Sequence, residues 1–237
     1  MTTLGTPRIV VTGNGAFGDT AARRDLTYTD NPSSTIAALL DGEVIAGHRI
    51  QGVSLDWDHH PIESLEPLFS GEGTVGGASV APVAVLSLGV FSGRTTVTIE
   101  RLAANVQDFQ FADNGFRPAG SPVVTDGPAA YFATLPIKGI ASRIRDTGIP
   151  ALVSNSASTH GCNSVMYTAL HLIATRGLPT LAGFIHLPDP PGHIAALGSN
   201  GPSMSLDHQV QAVRAAIQAT IEFGSSDLEL PANEWEW

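Results

Sequence analysis

The chain has a single cysteine, Cys162, among its 237 residues. One thiol cannot form a disulfide bond within the chain, and it excludes a zinc site built from several cysteines. The N-terminal segment also lacks the basic stretch and following apolar stretch that are typical of a secretory signal. Together these absences predict a cytoplasmic protein.

Positive charge is scarce as well. The sequence has 12 Lys and Arg residues against 22 Asp and Glu residues, which gives a formal net charge of −10. The only clustered cations, Arg23 and Arg24, are too few for the dense basic patch that nucleic acids or anionic membranes require. The longest apolar tract, from Val80 to Phe91, is too short and too interrupted to cross a bilayer. We therefore expect neither nucleic acid nor a membrane as a partner.

Apolar residues make up 43% of the chain and charged residues 14%, which is sufficient for a sizeable core. Their spacing alternates between patterns typical of buried strands and of helices with one apolar face. Strands are predicted at 8–12, 48–55, 83–89, 95–100, 151–154 and 181–187, and helices at about 32–40, 62–69, 137–144, 162–176 and 205–223. This order predicts an α/β fold, a single-domain three-layer α/β/α sandwich around a mostly parallel, mixed sheet. We expect one domain over 1–224 and an acidic tail over 225–237.

Three glycines, Gly13, Gly15 and Gly18, follow the first predicted strand with the spacing G-x-G-x-x-G. In a dinucleotide-binding unit the third glycine opens a helix, and an acidic residue about 20 positions further on binds the ribose. Here the segment after Gly18 has no apolar helical face, and the next predicted strand ends only at Leu55. A bound dinucleotide is therefore disfavoured.

Three polar residues end or follow predicted strands, where an open α/β sheet places its ligands. Glu100 ends one strand, His186 lies near the end of another, and Cys162 opens the helix that follows a third. A helix N-terminus lowers the pKa of a thiol, and its N–H groups stabilise an oxyanion. A histidine exchanges the proton, and a carboxylate fixes the tautomer of that histidine. The pattern is typical of nucleophilic catalysis by a thiol.

Each of these residues also has a purely structural interpretation. Cys162 fits a small, inert side chain of the core, and His186 fits a core histidine with satisfied hydrogen bonds. Glu100 fits an ion pair with Arg101 or with another cation. From the pattern alone, both interpretations stay open.

Other histidines compete with His186 for the role of base. His160 is two residues from Cys162 but on a predicted loop, and His171 lies further along the helix that Cys162 opens. The histidine pair at 59–60 has acidic neighbours, but no spaced carboxylate or histidine completes a metal site. We therefore expect no metal ion.

Five segments between Arg8 and Phe223 form a set: "VTIERLAAN", "GPAAYFATLPI", "SNSASTHGCNSVMY", "GFIHLP" and "PSMS". They occur in the same order in the pyroglutamyl peptidase I, or pyrrolidone-carboxylate peptidase, family, which the chain resembles. By its motifs the resemblance implies that Cys162 is the nucleophile, His186 the histidine and Glu100 the acidic member of a catalytic triad. It also implies a cysteine exopeptidase that releases N-terminal pyroglutamate from peptides through an acyl-enzyme. It implies no cofactor, and it implies a homo-oligomer, either a dimer or a tetramer.

The sequence departs from the family pattern around the expected pocket. The family turn G-F-x-x-F-G-G, which helps form the pocket for the pyroglutamyl ring, is "GNGAFG" here. Phe17 matches the second aromatic residue, and Asn14 stands in place of the first. The resemblance therefore implies that both residues bind substrate, with the glycines serving a tight turn. In "DFQFADN", Gln110 takes the place of an arginine, and the segment 19–30 is longer than in the family.

Two alternatives to this function remain. A related cysteine amidase would use the same triad on another small cyclic or N-acyl amide, with an altered pocket. A non-catalytic or nucleotide-binding α/β protein would use no triad at all. Hydrolysis of a pyroglutamyl amide distinguishes the three.

Overall fold

The computed structural model describes residues 6–15, 31–55, 61–69, 74–75, 78–79, 81–108 and 119–229. The strands are β1 (Arg8–Asn14), β2 (Val44–Ile45), β3 (His48–Leu55), β4 (Thr74–Val75), β5 (Ala78–Ser79), β6 (Ala84–Val90), β7 (Val97–Glu100), β8 (Leu102–Ala104), β9 (Ala130–Phe132), β10 (Ala151–Ser154) and β11 (Leu181–Leu187). The helices are α1 (Pro32–Leu40), α2 (Pro61–Phe69), α3 (Ile137–Asp146), α4 (Gly161–Arg176), α5 (Pro191–Ala196) and α6 (Leu206–Phe223). Every strand and helix predicted from the sequence is present, with small differences at the ends.

One sheet of seven strands has the order β10-β7-β11-β6-β1-β3-β2. The central strands β11, β6, β1 and β3 pair in parallel, whereas β7 runs antiparallel to β11 and β2 antiparallel to β3. β10 pairs in parallel with β7, so it also runs against the central strands. Two short ribbons, β4-β5 and β8-β9, stand outside this sheet. The prediction of a mostly parallel, mixed sheet is confirmed.

Two apolar clusters cover the two faces of the sheet. On one face α1, α3 and α6 bury their apolar sides, as Ile36 and Ile140 show by their complete burial. On the other face α2 and α4 pack, and Leu65 is fully buried there. Because successive strand residues point to opposite faces, Val10 and Val11 of β1 belong to different clusters. The predicted three-layer α/β/α arrangement is therefore confirmed.

Local capping signals fix the ends of the helices. The side chain of Asn31 accepts a hydrogen bond from the backbone N–H of Ser33, and Pro32 is the first residue of α1. Ser205 caps α6 with its hydroxyl in the same way. Gly177 ends α4 in the left-handed conformation, with φ of 62°. These signals are local, which is why the sequence predicts these helix ends well.

The glycines of the opening motif have a packing role in the described part of the chain. A Cβ on Gly13 would lie 2.2 Å from the backbone carbonyl carbon of Ser33, so β1 and the start of α1 approach too closely for any side chain. On β3, a Cβ on Gly52 would lie 1.9 Å from the carbonyl oxygen of Ala37. Gly18, the third glycine of the spacing, lies outside the described residues. These contacts explain Gly13 without a bound phosphate.

Two regions differ from simple expectation. A short helix, α5, forms where the sequence predicts only a loop. At the start of the predicted acidic tail, Asp227 accepts hydrogen bonds from the backbone N–H groups of Lys138 and Gly139, at the N-terminus of α3. The boundary between a domain over 1–224 and a tail over 225–237 stays a prediction, and residues 230–237 lie outside the described part. Among the helices that are described, none has the length and apolar character to cross a membrane.

Candidate active site

Glu100 and His186 form a buried hydrogen-bonded pair. His186 lies opposite Thr98 in the β7–β11 register, and Glu100 follows Thr98 on the same face of β7. The Nδ1 atom of His186 is 2.8 Å from Oε1 of Glu100. The exposed fraction of the side chain is 1% for His186 and 0% for Glu100. The carboxylate thus fixes the proton on Nδ1, which leaves the lone pair of the imidazole on Nε2.

Cys162 lies on the same face of the sheet as this pair. It is the second residue of α4, which packs on that face. A Cβ on Gly89 of β6 would lie 2.8 Å from Sγ of Cys162, so the sulfur occupies the space that Gly89 leaves open. Gly89 is the register partner of His186, and paired residues on neighbouring parallel strands are about 4.8 Å apart and face the same way. The fold therefore brings thiol, imidazole and carboxylate to one region.

The sequence also predicts why these three residues come together, and this explanation is wrong for Glu100 and Cys162. The expectation was that all these residues reach one edge because parallel strands end there. However, β7, which carries Glu100, and β10, which precedes Cys162, both run against β11. Glu100 reaches His186 because β7 pairs with the residues near the carboxyl end of β11. Cys162 returns to the site through the loop before α4.

Opposing effects determine the charge state of the Glu100–His186 pair. Burial acts to raise the pKa of Glu100, but the hydrogen bond from His186 and the positive charge of Arg94 lower it below its ordinary value. Burial is the largest cause acting on His186 and lowers its pKa, and the hydrogen bond to Glu100 only partly opposes this. We conclude that the pair rests as a carboxylate and a neutral imidazole.

The prediction of a low pKa for the Cys162 thiol is wrong. The residue as a whole keeps some exposure. Its sulfur is nonetheless enclosed, and burial, followed by the negative charge of Glu100, raises the pKa of Cys162 to about 12. A hydrogen bond from Asn14 and the charge of Arg94 act in the opposite direction but are weaker. The thiol is therefore neutral at pH 7 and needs a base to become a nucleophile.

Asn14 is the one predicted pocket residue that lies in the described part of the chain. Its side chain is buried, and its Nδ2 atom donates to Sγ of Cys162 over 3.8 Å. Its backbone N–H donates to the hydroxyl of Ser33 at the start of α1, which fixes the end of β1 beside the thiol. Phe17, Gln110 and the segment 19–30 lie outside the described residues, so their expected contributions to the pocket stay predictions.

The competing partners suggested by the sequence have other contacts. Nδ1 of His171 is 3.0 Å from the hydroxyl of Tyr131, on the side of α4 that faces β9. Arg101 donates through Nε to Asn155, and the cation that pairs with Glu100 is Arg94. His160 precedes α4 as its N-cap residue without a side-chain capping bond. Among the described residues no cluster of His, Cys, Asp and Glu has the arrangement of a metal site, and 59–60 lie outside them.

Sequence reasoning missed Arg94, which is the cation that pairs with Glu100. Its Nη1 atom is 2.7 Å from Oε1 of Glu100 and also donates to the hydroxyl of Thr98. The residue precedes β7 in a turn, and nothing in its local pattern distinguishes it from a surface arginine. The only sign of this pair in the sequence was that Arg94 lies six residues before Glu100.

The comparison with known families settles the relationship of this chain. The sequence model of the family described as pyroglutamyl peptidase matches residues 7–223. The chain belongs to the pyroglutamyl peptidase family. The resemblance inferred from the five segments is thereby confirmed, and so is the prediction of an enzyme of this cysteine peptidase family.

Similar proteins of the pyroglutamyl peptidase family cover nearly the whole chain. The pyrrolidone-carboxylate peptidase of Chromobacterium violaceum is 40% identical over 228 residues, which are 92% of this chain and 95% of that protein. The protein of the same name from Mycobacterium tuberculosis is 37% identical over 94% of this chain and 96% of its own length. The solved pyrrolidone carboxyl peptidase of Thermococcus litoralis superposes with a TM-score of 0.80 at 31% identity, over 95% of this chain and 99% of that chain. These similarities support the fold described above.

Proposed function

We propose that this member of the pyroglutamyl peptidase family is a cysteine exopeptidase that removes N-terminal pyroglutamate from peptides. The proposal rests on one observation above the others. The only thiol of the chain lies over Gly89, the register partner of His186, and His186 is itself hydrogen-bonded to the buried Glu100. Acyl transfer by a thiol requires a nucleophile next to a base, and a carboxylate that orients this base.

In the first step His186 acts as a general base. Because the thiol of Cys162 is neutral, Nε2 of His186 accepts the thiol proton as Sγ attacks the carbonyl carbon of the pyroglutamyl residue. The carbonyl oxygen becomes an oxyanion in a tetrahedral intermediate. The first backbone N–H groups of α4, which have no partner within the helix, stabilise this negative charge.

The intermediate then collapses to an acyl-enzyme. His186, now an imidazolium ion, gives its proton to the leaving amine of the next residue, and the C–N bond breaks. Glu100 stabilises the imidazolium through Oε1. Water, deprotonated by Nε2 of His186, hydrolyses the thioester, which releases pyroglutamate and restores the thiol. In this scheme protons pass between Cys162, His186, the leaving amine and water, and no cofactor takes part.

A neutral lactam ring suits the surroundings of Cys162. An enzyme that binds a free amino terminus needs a carboxylate or a metal for the ammonium group, whereas a lactam needs apolar walls and a few hydrogen bonds. Phe184 lies beside the sulfur, since a Cβ on Gly89 would be 2.8 Å from its Cζ atom as well. The side chain of Asn14 adds an amide next to the nucleophile. We propose Asn14 and Phe17 as substrate-binding residues.

The polar, buried Asn14 also favours one second candidate. A related cysteine amidase would bind another small cyclic or N-acyl amide with the same triad, and an amide beside Sγ suits a substrate with an additional polar group. The proposal also includes a cytoplasmic location, a homo-oligomer (a dimer or a tetramer), and no nucleic acid or membrane as a partner. These expectations rest on the family and on the composition of the chain.

Hydrolysis of a fluorogenic pyroglutamyl amide tests this function. We expect turnover of the pyroglutamyl amide, complete loss after alkylation of the single thiol by iodoacetamide at pH 9, and no effect of a metal chelator. The matched substrate is the corresponding prolyl amide, which has the same ring size but a charged secondary amine in place of the lactam. Activity on neither substrate, but on acetylated amino-acid amides, would indicate the amidase. Activity that survives full alkylation would exclude the thiol mechanism.

Replacing Gly89 by alanine should impair the nucleophile without unfolding the protein. The new Cβ would lie 2.8 Å from Sγ of Cys162 and 2.8 Å from Cζ of Phe184, so both of these groups, or the backbone of β6, must shift. A displacement of about 1 Å in a reacting group can cost about 10²-fold in rate. We expect a loss of kcat/KM of at least about tenfold.

The matched control is Gly192→Ala, because a Cβ at that position meets no atom within 4 Å. Circular dichroism verifies folding for both variants. Equal kcat/KM in Gly89→Ala and wild type would mean that Sγ does not need its position over Gly89.

Replacing Asn14 by phenylalanine separates two roles of this side chain. If the pocket lacks an aromatic wall, Asn14→Phe should lower KM for a pyroglutamyl amide by about two- to tenfold with little change in kcat, since aromatic contacts contribute about 0.5–1.5 kcal/mol beyond burial. Asn14→Ala removes the amide without adding a ring. A fall of kcat in both variants would show instead that the contact of Nδ2 with Sγ supports the chemistry. An unchanged or higher KM in Asn14→Phe contradicts the aromatic-wall interpretation.

A further inference from the structure

Arg94 has three contacts that all lead to the base of the proposed mechanism. Its Nη1 atom is 2.7 Å from Oε1 of Glu100, the same oxygen that accepts the hydrogen bond from His186. The same Nη1 atom donates to the hydroxyl of Thr98, the register partner of His186. The guanidinium carbon lies 4.1 Å from the centroid of the Phe91 ring. The exposed fraction of the Arg94 side chain is only 19%.

We propose that Arg94 is a positioning residue for the catalytic base: it holds Glu100 ionised and oriented, so that His186 rests as a neutral imidazole with Nδ1 protonated. This inference rests on the proposed function. Arg94 acts through its hydrogen bond to Glu100, through its contact with Phe91 and through its charge, which lowers the pKa of His186 and of Cys162.

The electrostatic part of this role follows from the burial of Glu100. A fully buried carboxylate loses its hydration, and the loss is tolerated only if charged or hydrogen-bonding partners replace the water. A neutral imidazole alone gives one hydrogen bond and no compensating charge. Arg94 supplies the compensating charge at Oε1, so Glu100 stays ionised without drawing a proton onto His186. The base is then available at neutral pH.

The packing part of this role involves Phe91. Its ring meets the imidazole of His186 edge to face, with 5.2 Å between the centroids and an angle of 89°. The guanidinium group of Arg94 lies over the ring of Phe91, and its positive charge is attracted to the face of that ring in a cation–π interaction. Loss of Arg94 therefore removes the support of one wall of the imidazole as well as the charge beside Glu100.

The direction of the expected pH effect follows from the groups around His186. In the described part of the chain these are Glu100 on β7, Arg94 before β7 and the thiol of Cys162 on α4, while β6 contributes Gly89. Arg94 acts to lower the pKa of His186, and it also lowers the pKa of Glu100. Removing its charge raises both pKa values. The neutral imidazole then persists only at higher pH, so the acid limb of kcat/KM moves to higher pH.

The test compares Arg94→Gln, Arg94→Lys and wild type. In Arg94→Gln we expect the acid limb of kcat/KM to move up by about 0.5–1 pH unit, less than the about 1–3 units that a charge in direct contact produces, because Arg94 contacts Glu100 and not the imidazole. At pH 7 this shift lowers kcat/KM by at most about threefold, because the wild-type limb lies below about pH 6.5, and this is far less than the about 10²–10⁴-fold that a complete general base contributes. Arg94→Lys keeps the charge and should restore most of the pH profile. Arg214→Gln is the matched control, since it breaks an ion pair with Glu43 on the surface.

A second readout does not depend on activity. NMR titration of histidine-labelled protein, with the His186 signal assigned by comparison with His186→Ala, gives the pKa of His186 directly in each variant. A higher pKa of His186 in Arg94→Gln, but not in Arg214→Gln, supports the proposal even if the pyroglutamyl amide is not hydrolysed, which would contradict the proposed function alone. An unchanged pKa of His186, or an unchanged acid limb accompanied by a lower melting temperature, would overturn it and leave Arg94 a structural role.

Discussion

Cys162→Ala is expected to lose at least about 10⁴-fold in kcat for a pyroglutamyl amide, because removing a catalytic nucleophile typically costs several powers of ten. The residue is the only thiol of the chain, so no other cysteine can replace it. The fold should tolerate the change, since the side-chain hydrogen bond that the sulfur accepts, from Nδ2 of Asn14, is long at 3.8 Å. Steady-state kinetics measure the loss, and thermal unfolding verifies that the variant is folded.

Two further measurements strengthen this test. Cys162→Ser keeps a hydroxyl in the same place, but a serine is a poorer nucleophile in a site arranged for sulfur, so we expect it to be nearly inactive as well. Intact-protein mass spectrometry after rapid mixing with substrate should detect a pyroglutamyl adduct on wild type and none on Cys162→Ala. If the alanine variant keeps more than about a hundredth of the wild-type kcat, Cys162 is not the nucleophile.

The second large effect is expected for His186→Ala. A positioned general base contributes about 10²–10⁴-fold, and His186 both accepts the thiol proton and protonates the leaving amine in the proposed mechanism. We expect kcat to fall by at least about 10³-fold. His208→Ala is the matched control, because this histidine is exposed on α6 and should leave kcat unchanged. Comparable losses in both variants would show that the effect is not specific to the base.

The pH dependence follows from the lowered pKa of His186. Burial keeps this pKa below its ordinary value of about 6.5, so the neutral base persists at neutral pH and kcat/KM should decline only as the pH falls below about 6.5. Because the pKa of His186 is lower in the folded than in the unfolded protein, it contributes to the free energy of unfolding above about pH 6.5. This contribution is lost as the pH falls through the pKa of His186 in the folded protein. His186→Ala should lack this component of the stability curve. An acid limb centred well above pH 6.5 in wild type would contradict the assignment.

The sequence predicts those parts of the fold that depend on interactions between residues close together in the chain. The ends of α1, α4 and α6 follow from Asn31, Gly177 and Ser205, whose side chains or backbone angles act within one turn. Strand existence follows from short apolar runs such as β6, which is buried almost throughout. Strand direction has no such local signal. The antiparallel course of β7 and β10 results from how distant segments pair, and the sequence predicted it only as a mixed sheet.

The residues of the candidate site likewise differ in whether a local pattern in the sequence identifies them. Motifs around Cys162, His186 and Glu100 identify these residues in the sequence, because a thiol at a helix start and polar residues beside buried strands are local patterns. Arg94 has no such pattern, and only the pairing of β7 with β11 shows that its guanidinium and the imidazole share one carboxylate oxygen. Asn14 was expected at the substrate ring, and the fold also brings its amide to the sulfur.

The sequence by itself determined the family and the layered α/β architecture, and it predicted which side chains react. The tertiary structure alone decided their charge states. From its place at a helix N-terminus, Cys162 was expected to have a lowered pKa, whereas burial and the charge of Glu100 raise it to about 12. The physical reason is that a pKa sums desolvation and charge over all neighbours in space. The groups that matter here, Asn14, Arg94 and Glu100, are far from Cys162 in the sequence, so no local pattern contains their effect.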